Sequence, residues 1–162
     1  MVATTMVDYY ALPQLGEKAW PGRAEASRRP RHREKAPLVE RALLEDVVAE
    51  MGHRFNPERF VPYVVMHEFE GLLFSDCAAF SKAIGLPMLE GKFRQIRDQF
   101  ATPEEINDSP DTAPSKRIIG LVPGYEKPLL GVLAALDIGL SPIRAECPHF
   151  DSWVIRLEKL AQ

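Results

Sequence analysis

The sequence predicts an α/β fold in which a small parallel sheet is followed by a largely helical C-terminal half. Two observations carry this reading. A β-forming run, an amphipathic helix and a second Val-rich run follow one another up to Met66, and strand, helix and strand in that order imply a crossover with the two strands parallel. Beyond Gly71 the apolar residues recur mainly at helical rather than alternating spacing. The length of 162 residues suits a single domain spanning 1–162, since domains commonly run roughly 100 to 200 residues.

The first strand is expected over Ala3 to Tyr10, where Thr4, Thr5, Val7, Tyr9 and Tyr10 favour extended backbone and Leu12-Pro13 ends the run. With no lead-in before this strand, the domain is expected to be truncated at its N-terminus. Residues 14–37 read as an exposed basic loop. Arg23, Arg28, Arg29, Arg31, Arg33 and Lys35 crowd among Pro21, Gly22, Pro30 and Pro37, a composition that lacks apolar periodicity.

Residues 38–162 form the βα and helical remainder. From Leu38 the spacing of Val39, Leu43, Val47 and Met51 predicts a helix, and Gly52 stands where a C-cap accepts positive φ. Phe60 to Met66 predicts the second strand, with Pro62 suggesting an edge or a first-residue position. Leu89, Phe93, Ile96 and Phe100 form one helical stripe, and Tyr125 to Ile138 predicts a helix ended by Gly139. Thr102-Pro103-Glu104-Glu105 has the residues of a capping box, Ser141-Pro142 starts a further helix, and Val154, Leu157 and Leu160 give the last one an apolar face.

Composition narrows the function classes. Twenty Lys and Arg against 23 Asp and Glu give a net charge of -3, so no global positive field attracts nucleic acid and any phosphate binding must be local. An apolar share of 46% and a charged share of 27% are those of a folding chain, not a disordered one. Cys77 and Cys147 suggest neither a disulfide framework nor a zinc site, which points to reduced thiols and a cytoplasmic location. No membrane span is expected, because Leu129 to Leu136, the most apolar stretch, is far short of the roughly 18 residues required.

In open α/β sheets, ligands bind beyond the carboxyl ends of the strands. Asp8 lies near the end of the first strand and His67-Glu68-Phe69-Glu70 follows the second, so the crossover brings Asp8 within reach of Glu68 or Glu70. Carboxylates on rigid strand ends suit Mg²⁺ or Mn²⁺, and the chemistry implied is phosphodiester cleavage or transfer. His67 would orient a carboxylate or shuttle a proton. The competing reading is structural, with Asp8 capping a turn and His67 satisfied in the core. Further on, Asn107-Asp108 precedes Thr112-Ala113-Pro114-Ser115-Lys116-Arg117. Ser115 can cap a helix whose first turn carries Lys116 and Arg117, and such a terminus is suited to phosphate; a surface pair steadying a loop is the alternative. His149, in Cys147-Pro148-His149-Phe150, could bring an imidazole to the same region. Residue 71 is Gly, so the zincin spacing is not met, and no nucleotide loop or nucleophile elbow is present.

These blocks carry a resemblance. Thr4 to Tyr10, Pro62-Tyr63 through His67-Glu68-Phe69-Glu70-Gly71-Leu72-Leu73-Phe74, and Thr102 to Asp108 resemble the bacterial family catalogued as domain of unknown function 4276. So do Thr112 to Arg117, Pro123-Gly124-Tyr125 and Cys147-Pro148-His149-Phe150. The resemblance implies a Toprim-like fold, of the kind used for Mg²⁺-dependent cleavage of DNA or RNA, and association with an ABC-type ATPase in phage defence. It matches Asp8 to the acidic residue after a central strand and Glu68 and Glu70 to later acidic positions, leaving open which of the two glutamates binds metal; His67 as a catalytic residue and Lys116, Arg117 and His149 at phosphate rest on the residue reading above. The chain departs from the family in beginning after a strand that bears a Glu-Gly block, and in having Gly71 where Ala is more frequent. Catalysis by this chain alone is therefore not expected. The alternatives are a non-catalytic subunit that docks on the ATPase and a truncated gene remnant.

Overall fold

The computed structural model of the chain describes residues 1–107 and 112–162. Asp108, named in the polar cluster above, lies outside the described residues. Where the sequence reading takes one domain, contacts group the chain into two compact units, Met1–Met66 with Ser152–Gln162 and His67–Asp151.

The first unit holds the parallel pairing that the element order predicts. Strands β1 (Ala3–Thr4) and β2 (Val7–Asp8) pair with β3 (Phe60–Val61) and β4 (Val64–Val65) respectively, all parallel. Ala3 faces Phe60 and Asp8 faces Val65, so one register runs through both short ladders. The gap between them falls at Pro62, which has no N–H to give. There the Tyr63 N–H donates instead to the Thr5 hydroxyl at 3.2 Å, and the Val7 N–H returns to the Tyr63 carbonyl at 3.3 Å. The first strand is shorter than expected, because Tyr9–Ala11 turns into a 3₁₀ helix.

The crossover helix is longer than its apolar pattern. It is α2, His32–Met51, with Pro37 inside it, and it is preceded by α1, Arg23–Ser27. The expected loop over 14–37 is thus partly helical, although Arg28, Arg29, Arg31 and Arg33 are exposed as anticipated. Lys35 is half-buried, and Arg23 is buried outright, 3% exposed. Its Nε donates to the Tyr9 carbonyl at 2.9 Å, and its guanidinium lies 3.8 Å from the centre of the Tyr9 ring. A carbonyl and an aromatic face replace the water that the cation gives up. Gly22 makes the approach of α1 to α2 possible: its φ is 71°, and a Cβ there would sit 2.7 Å from the Ala42 Cβ. Tyr9, Leu12, Ala26, Ala36, Val39 and Val64 form the core of this unit. It is closed by Trp153, whose ring stacks on Tyr63 at 4.7 Å and whose Nε1 donates to the Thr4 hydroxyl at 2.8 Å.

The second unit is helical, as the spacing beyond Gly71 predicts. A 3₁₀ run, Phe69–Ser75, buries Leu72, Leu73 and Phe74. Asp76 then caps α3 (Cys77–Ala83), accepting from the Ala78 and Ala79 N–H groups. Phe80 of α3 stacks on Phe93 of α4 (Glu90–Arg97) at 4.5 Å, with Phe74 edge-on to both. The helix expected at Thr102 is a single 3₁₀ turn, Pro103–Glu105, and Thr102 makes no side-chain cap. After it come α5 (Pro114–Leu121), a π-helical turn (Lys127–Gly131), α6 (Val132–Ile138) and α7 (Leu140–Glu146). Gly139, at φ 76°, separates the last two. Helix α8 spans Pro148–Leu160. Cys77 and Cys147 are free and buried, and burial pushes their thiols up to about 11 and about 12.

Candidate functional site

The acidic block after β4 folds into the start of the second unit. Glu68 is extended and Glu70 enters the 3₁₀ run that buries it among Leu72 and Leu73. Gly71 lets this run approach Pro103, since a Cβ at Gly71 would lie 3.1 Å from the Pro103 carbonyl oxygen. An alanine at this place would need that carbonyl to give by a few tenths of an ångström.

Glu68 points at the N-terminus of α5. Its Oε2 accepts the Ser115 N–H at 2.8 Å and its Oε1 accepts the Ser115 hydroxyl at 3.0 Å. The helix start read as a phosphate site therefore already holds an anion, and that anion is the protein's own carboxylate. Ser115 is not the cap residue, which is Ala113; it lies within the first turn. Burial would raise the Glu68 carboxyl, but the two Ser115 hydrogen bonds and the neighbouring Lys127 ammonium outweigh it and hold the group below the usual carboxylate range.

Lys127 joins the two glutamates. Its Nζ lies 3.2 Å from Glu68 Oε1 and 3.4 Å from Glu70 Oε1. The Glu70 side chain is 7% exposed, whereas that of Lys127 is 45% exposed. Burial lowers the ammonium's affinity for its proton, but the two carboxylates more than restore it, and the group is held above its ordinary value. Tyr125 is also buried, and its hydroxyl has no hydrogen-bond partner among the described residues. Burial and then the field of Glu70 push its phenol up. Gly131 makes room for it, since a Cβ there would meet the Tyr125 hydroxyl at 3.2 Å.

A second carboxylate seals a second helix. Glu104 accepts the His149 and Phe150 N–H groups at 3.1 and 2.9 Å, at the first turn of α8. Its carboxyl is raised by burial, which those two bonds only partly offset. Sequence reasoning assigned Glu104 to the cap of its own short helix and so missed this role. Lys127 was also missed, though a signal was present. A cation at the N-terminal end of a helix gains nothing from the macrodipole, so its place there asks for an anionic partner elsewhere.

The sequence-derived candidates fall in both units. Glu68 and Glu70 meet at Lys127, while Asp8 belongs to the first unit, at the end of β2 facing Val65. His67 is buried. Lys116 is exposed on α5. Arg117 donates to the Thr112 carbonyl at 2.7 Å and lies 5.3 Å from the Phe100 ring centre, so part of its donor fork serves the local fold. His149 supplies its backbone N–H to Glu104.

Among the described residues, no group of three or more His, Cys, Asp or Glu side chains is placed to hold a metal ion. Mg²⁺ needs several oxygens around one point, and here an ammonium stands at the point where Glu68 and Glu70 converge. As arranged, these residues do not fit a divalent cation unless Lys127 leaves.

The fold and site define a mostly helical α/β protein, with a short parallel strand pairing in one unit and internally neutralised glutamates in the other. The chain belongs to the family described as Domain of unknown function (DUF4276), whose model matches residues 1–158. Neither a curated protein nor a solved structure matches it significantly.

Proposed function

We propose that this chain works as a binding subunit, docking on a partner protein, and does not hydrolyse phosphodiesters by itself. What supports this reading is the internal compensation of Glu68 and Glu70 by Lys127, Ser115 and the α5 terminus. Two negative charges, one positive charge and the partial positive charge of a helix start leave little net field to draw in a cation or activate water. In this reading the polar blocks around Glu68, Ser115 and Lys127 hold the second unit together. The family resemblance suggests an ABC-type ATPase as the partner and phage defence as the setting.

One observation favours a second reading, the Toprim-like nuclease with Mg²⁺ or Mn²⁺ at Asp8, Glu68 and Glu70 and with DNA or RNA as substrate. Two carboxylate oxygens converge on a single cationic position, and Glu68 is held ionised. Were a divalent ion to displace Lys127, that position would become a metal site.

Calorimetric titration with Mn²⁺, run beside cleavage assays on single- and double-stranded DNA and RNA, separates the two readings. The binding reading expects the wild-type chain to take up no Mn²⁺ below millimolar concentration and to cleave nothing. Mn²⁺-dependent cleavage that disappears in both Glu68→Gln and Asp8→Asn would refute it in favour of the nuclease.

A further inference from the structure

The net charge of -3 conceals a division of sign. Met1–Met66 with Ser152–Gln162 carries 12 Lys and Arg against 10 Asp and Glu, a balance of +2, whereas His67–Asp151 carries 8 against 13, a balance of -5. The positive excess is concentrated at residues 28–35, where Arg28, Arg29, Arg31, Arg33 and Lys35 accompany a single acidic residue, Glu34. Arg28 ends α1 and Arg31 caps α2, so these cations crowd the turn between the two helices. The stability of α2 does not ask for them, because positive charge at a helix start opposes the macrodipole. Nor are they neutralised. Arg29 and Arg31 pair with Glu25 and Glu34 in solvent, and Arg28 and Arg33 are exposed with no carboxylate partner among the described residues.

An exposed aromatic ring lies close to this turn. Tyr10 directly follows the carboxyl end of β2 and is 52% exposed. It meets the Tyr9 ring edge-on at 5.1 Å, and the Tyr9 ring lies 3.8 Å from the Arg23 guanidinium and 6.0 Å from the Lys35 ammonium, in the first turns of α2. Tyr9 and Arg23 are buried, so a fixed pair carries Tyr10 in the open beside the cations. This is the strand edge beyond which ligands of open α/β sheets bind.

We propose that this surface of the first unit binds single-stranded nucleic acid, with Arg28, Arg29, Arg31 and Arg33 on phosphates and a base stacked on Tyr10. Guanidinium forks match phosphate oxygens, and a ring beside a cationic track holds single strands without reading their sequence. A duplex keeps its base faces inside the stack and offers Tyr10 no partner. An acidic protein or an anionic bilayer would engage the cations and leave the ring idle, and residues 28–33 hold no large apolar side chain to anchor the one or enter the other. The surface is independent of Glu68, Glu70 and Lys127 and requires no metal.

Fluorescence anisotropy of labelled DNA and RNA single strands of about 12 nucleotides, in EDTA so that no divalent ion contributes, tests the proposal. Neutralising about four phosphates gives a slope of about -3 in log affinity against log salt, so binding should weaken about 50-fold between about 50 and 200 mM salt. The double variant Arg28→Gln, Arg33→Gln should about halve that slope with unchanged circular dichroism. Tyr10→Ala should weaken binding about tenfold at every salt concentration and keep the slope, and Tyr10→Trp should restore the affinity. Should Tyr10→Ala disturb the fold, the arginine variant decides independently, since its side chains are exposed and unpaired. No binding at about 50 mM salt overturns the proposal, as does a slope that the arginine variant leaves unchanged. Equal affinity for a duplex of the same length, for polyglutamate or for anionic vesicles also overturns it, as does a folded Tyr10→Ala that binds like the wild type.

Discussion

Replacing Lys127 by methionine removes the ammonium and keeps most of the aliphatic stem, so it isolates the charge that joins Glu68 and Glu70. The magnitude lies between two limits. Ion pairs in full solvent contribute about 0.2–1 kcal/mol, while breaking a buried pair costs about 3–5 kcal/mol because one charge is left uncompensated. Glu70 is close to the buried limit, with 7% of its side chain exposed, and Lys127 to the solvent limit, with 45% exposed. We therefore expect Lys127→Met to cost about 1–2.5 kcal/mol at neutral pH. With a urea slope of about 2 kcal/mol/M, the midpoint should fall by about 0.5–1.2 M. The assay must see the second unit. Both tryptophans, Trp20 and Trp153, lie in the first unit, so far-ultraviolet circular dichroism is the readout and fluorescence the control. A cycle with Glu70→Gln should return a coupling of about 0.5–2 kcal/mol, as for residues in one ionic network. A midpoint unchanged in Lys127→Met together with no coupling to Glu70 would show that the pairing is incidental, and the argument for internal neutralisation would fail.

Two further outcomes follow from the geometry. Ser115→Ala removes the hydroxyl bond to Glu68 and leaves the backbone one, with an expected loss of about 1–2 kcal/mol. The folded-state carboxyl of Glu68 is depressed, so its contribution is full above the ordinary carboxylate value of 4.5 and is lost as pH falls through the lower folded value. The acid-unfolding midpoint, followed by circular dichroism, should accordingly move up in Ser115→Ala, and an unmoved midpoint would contradict this account of Glu68. Arg23→Met deletes the bond to the Tyr9 carbonyl and the stacking on its ring, at a cost of about 2–3 kcal/mol. Limited proteolysis should then cut sooner between residues 14 and 31, with Arg23→Lys restoring little because an ammonium cannot both donate at that angle and lie flat on the ring; equal protection in all three proteins would refute the role of Arg23.

Much of the first unit was legible from local pattern. The order of strand, helix and strand predicted parallel pairing, and Val39, Leu43 and Val47 with Gly52 located the body and end of α2. The early start of α2 was not legible. Its first turns carry Arg, Glu and Lys, which favour helix without any apolar period, and Pro37, which removes one bond and crowds the carbonyl four residues back, reads as a breaker although α2 runs through it. The second unit's helices were found where a stripe existed, as for Phe93 in α4, and overdrawn at Thr102, where the turn residues were present but no apolar face held a longer helix.

The acidic block shows most clearly where sequence stops. By itself the sequence determined that Glu68 and Glu70 sit just after a strand, that α5 begins close to Ser115, and that Lys127 stands at a helix start. Whether those carboxylates face water, a metal or one another's counter-charge depends on which distant residue the fold delivers. Lys127 lies 59 positions from Glu68 in the chain, and Ser115 lies 47. Helical and strand periods report only which face a residue shares with its near neighbours. The pairing of a carboxylate with a far-off ammonium is set by how the intervening helices pack, and only the tertiary structure decided that the glutamates' partners are a lysine and a helix terminus.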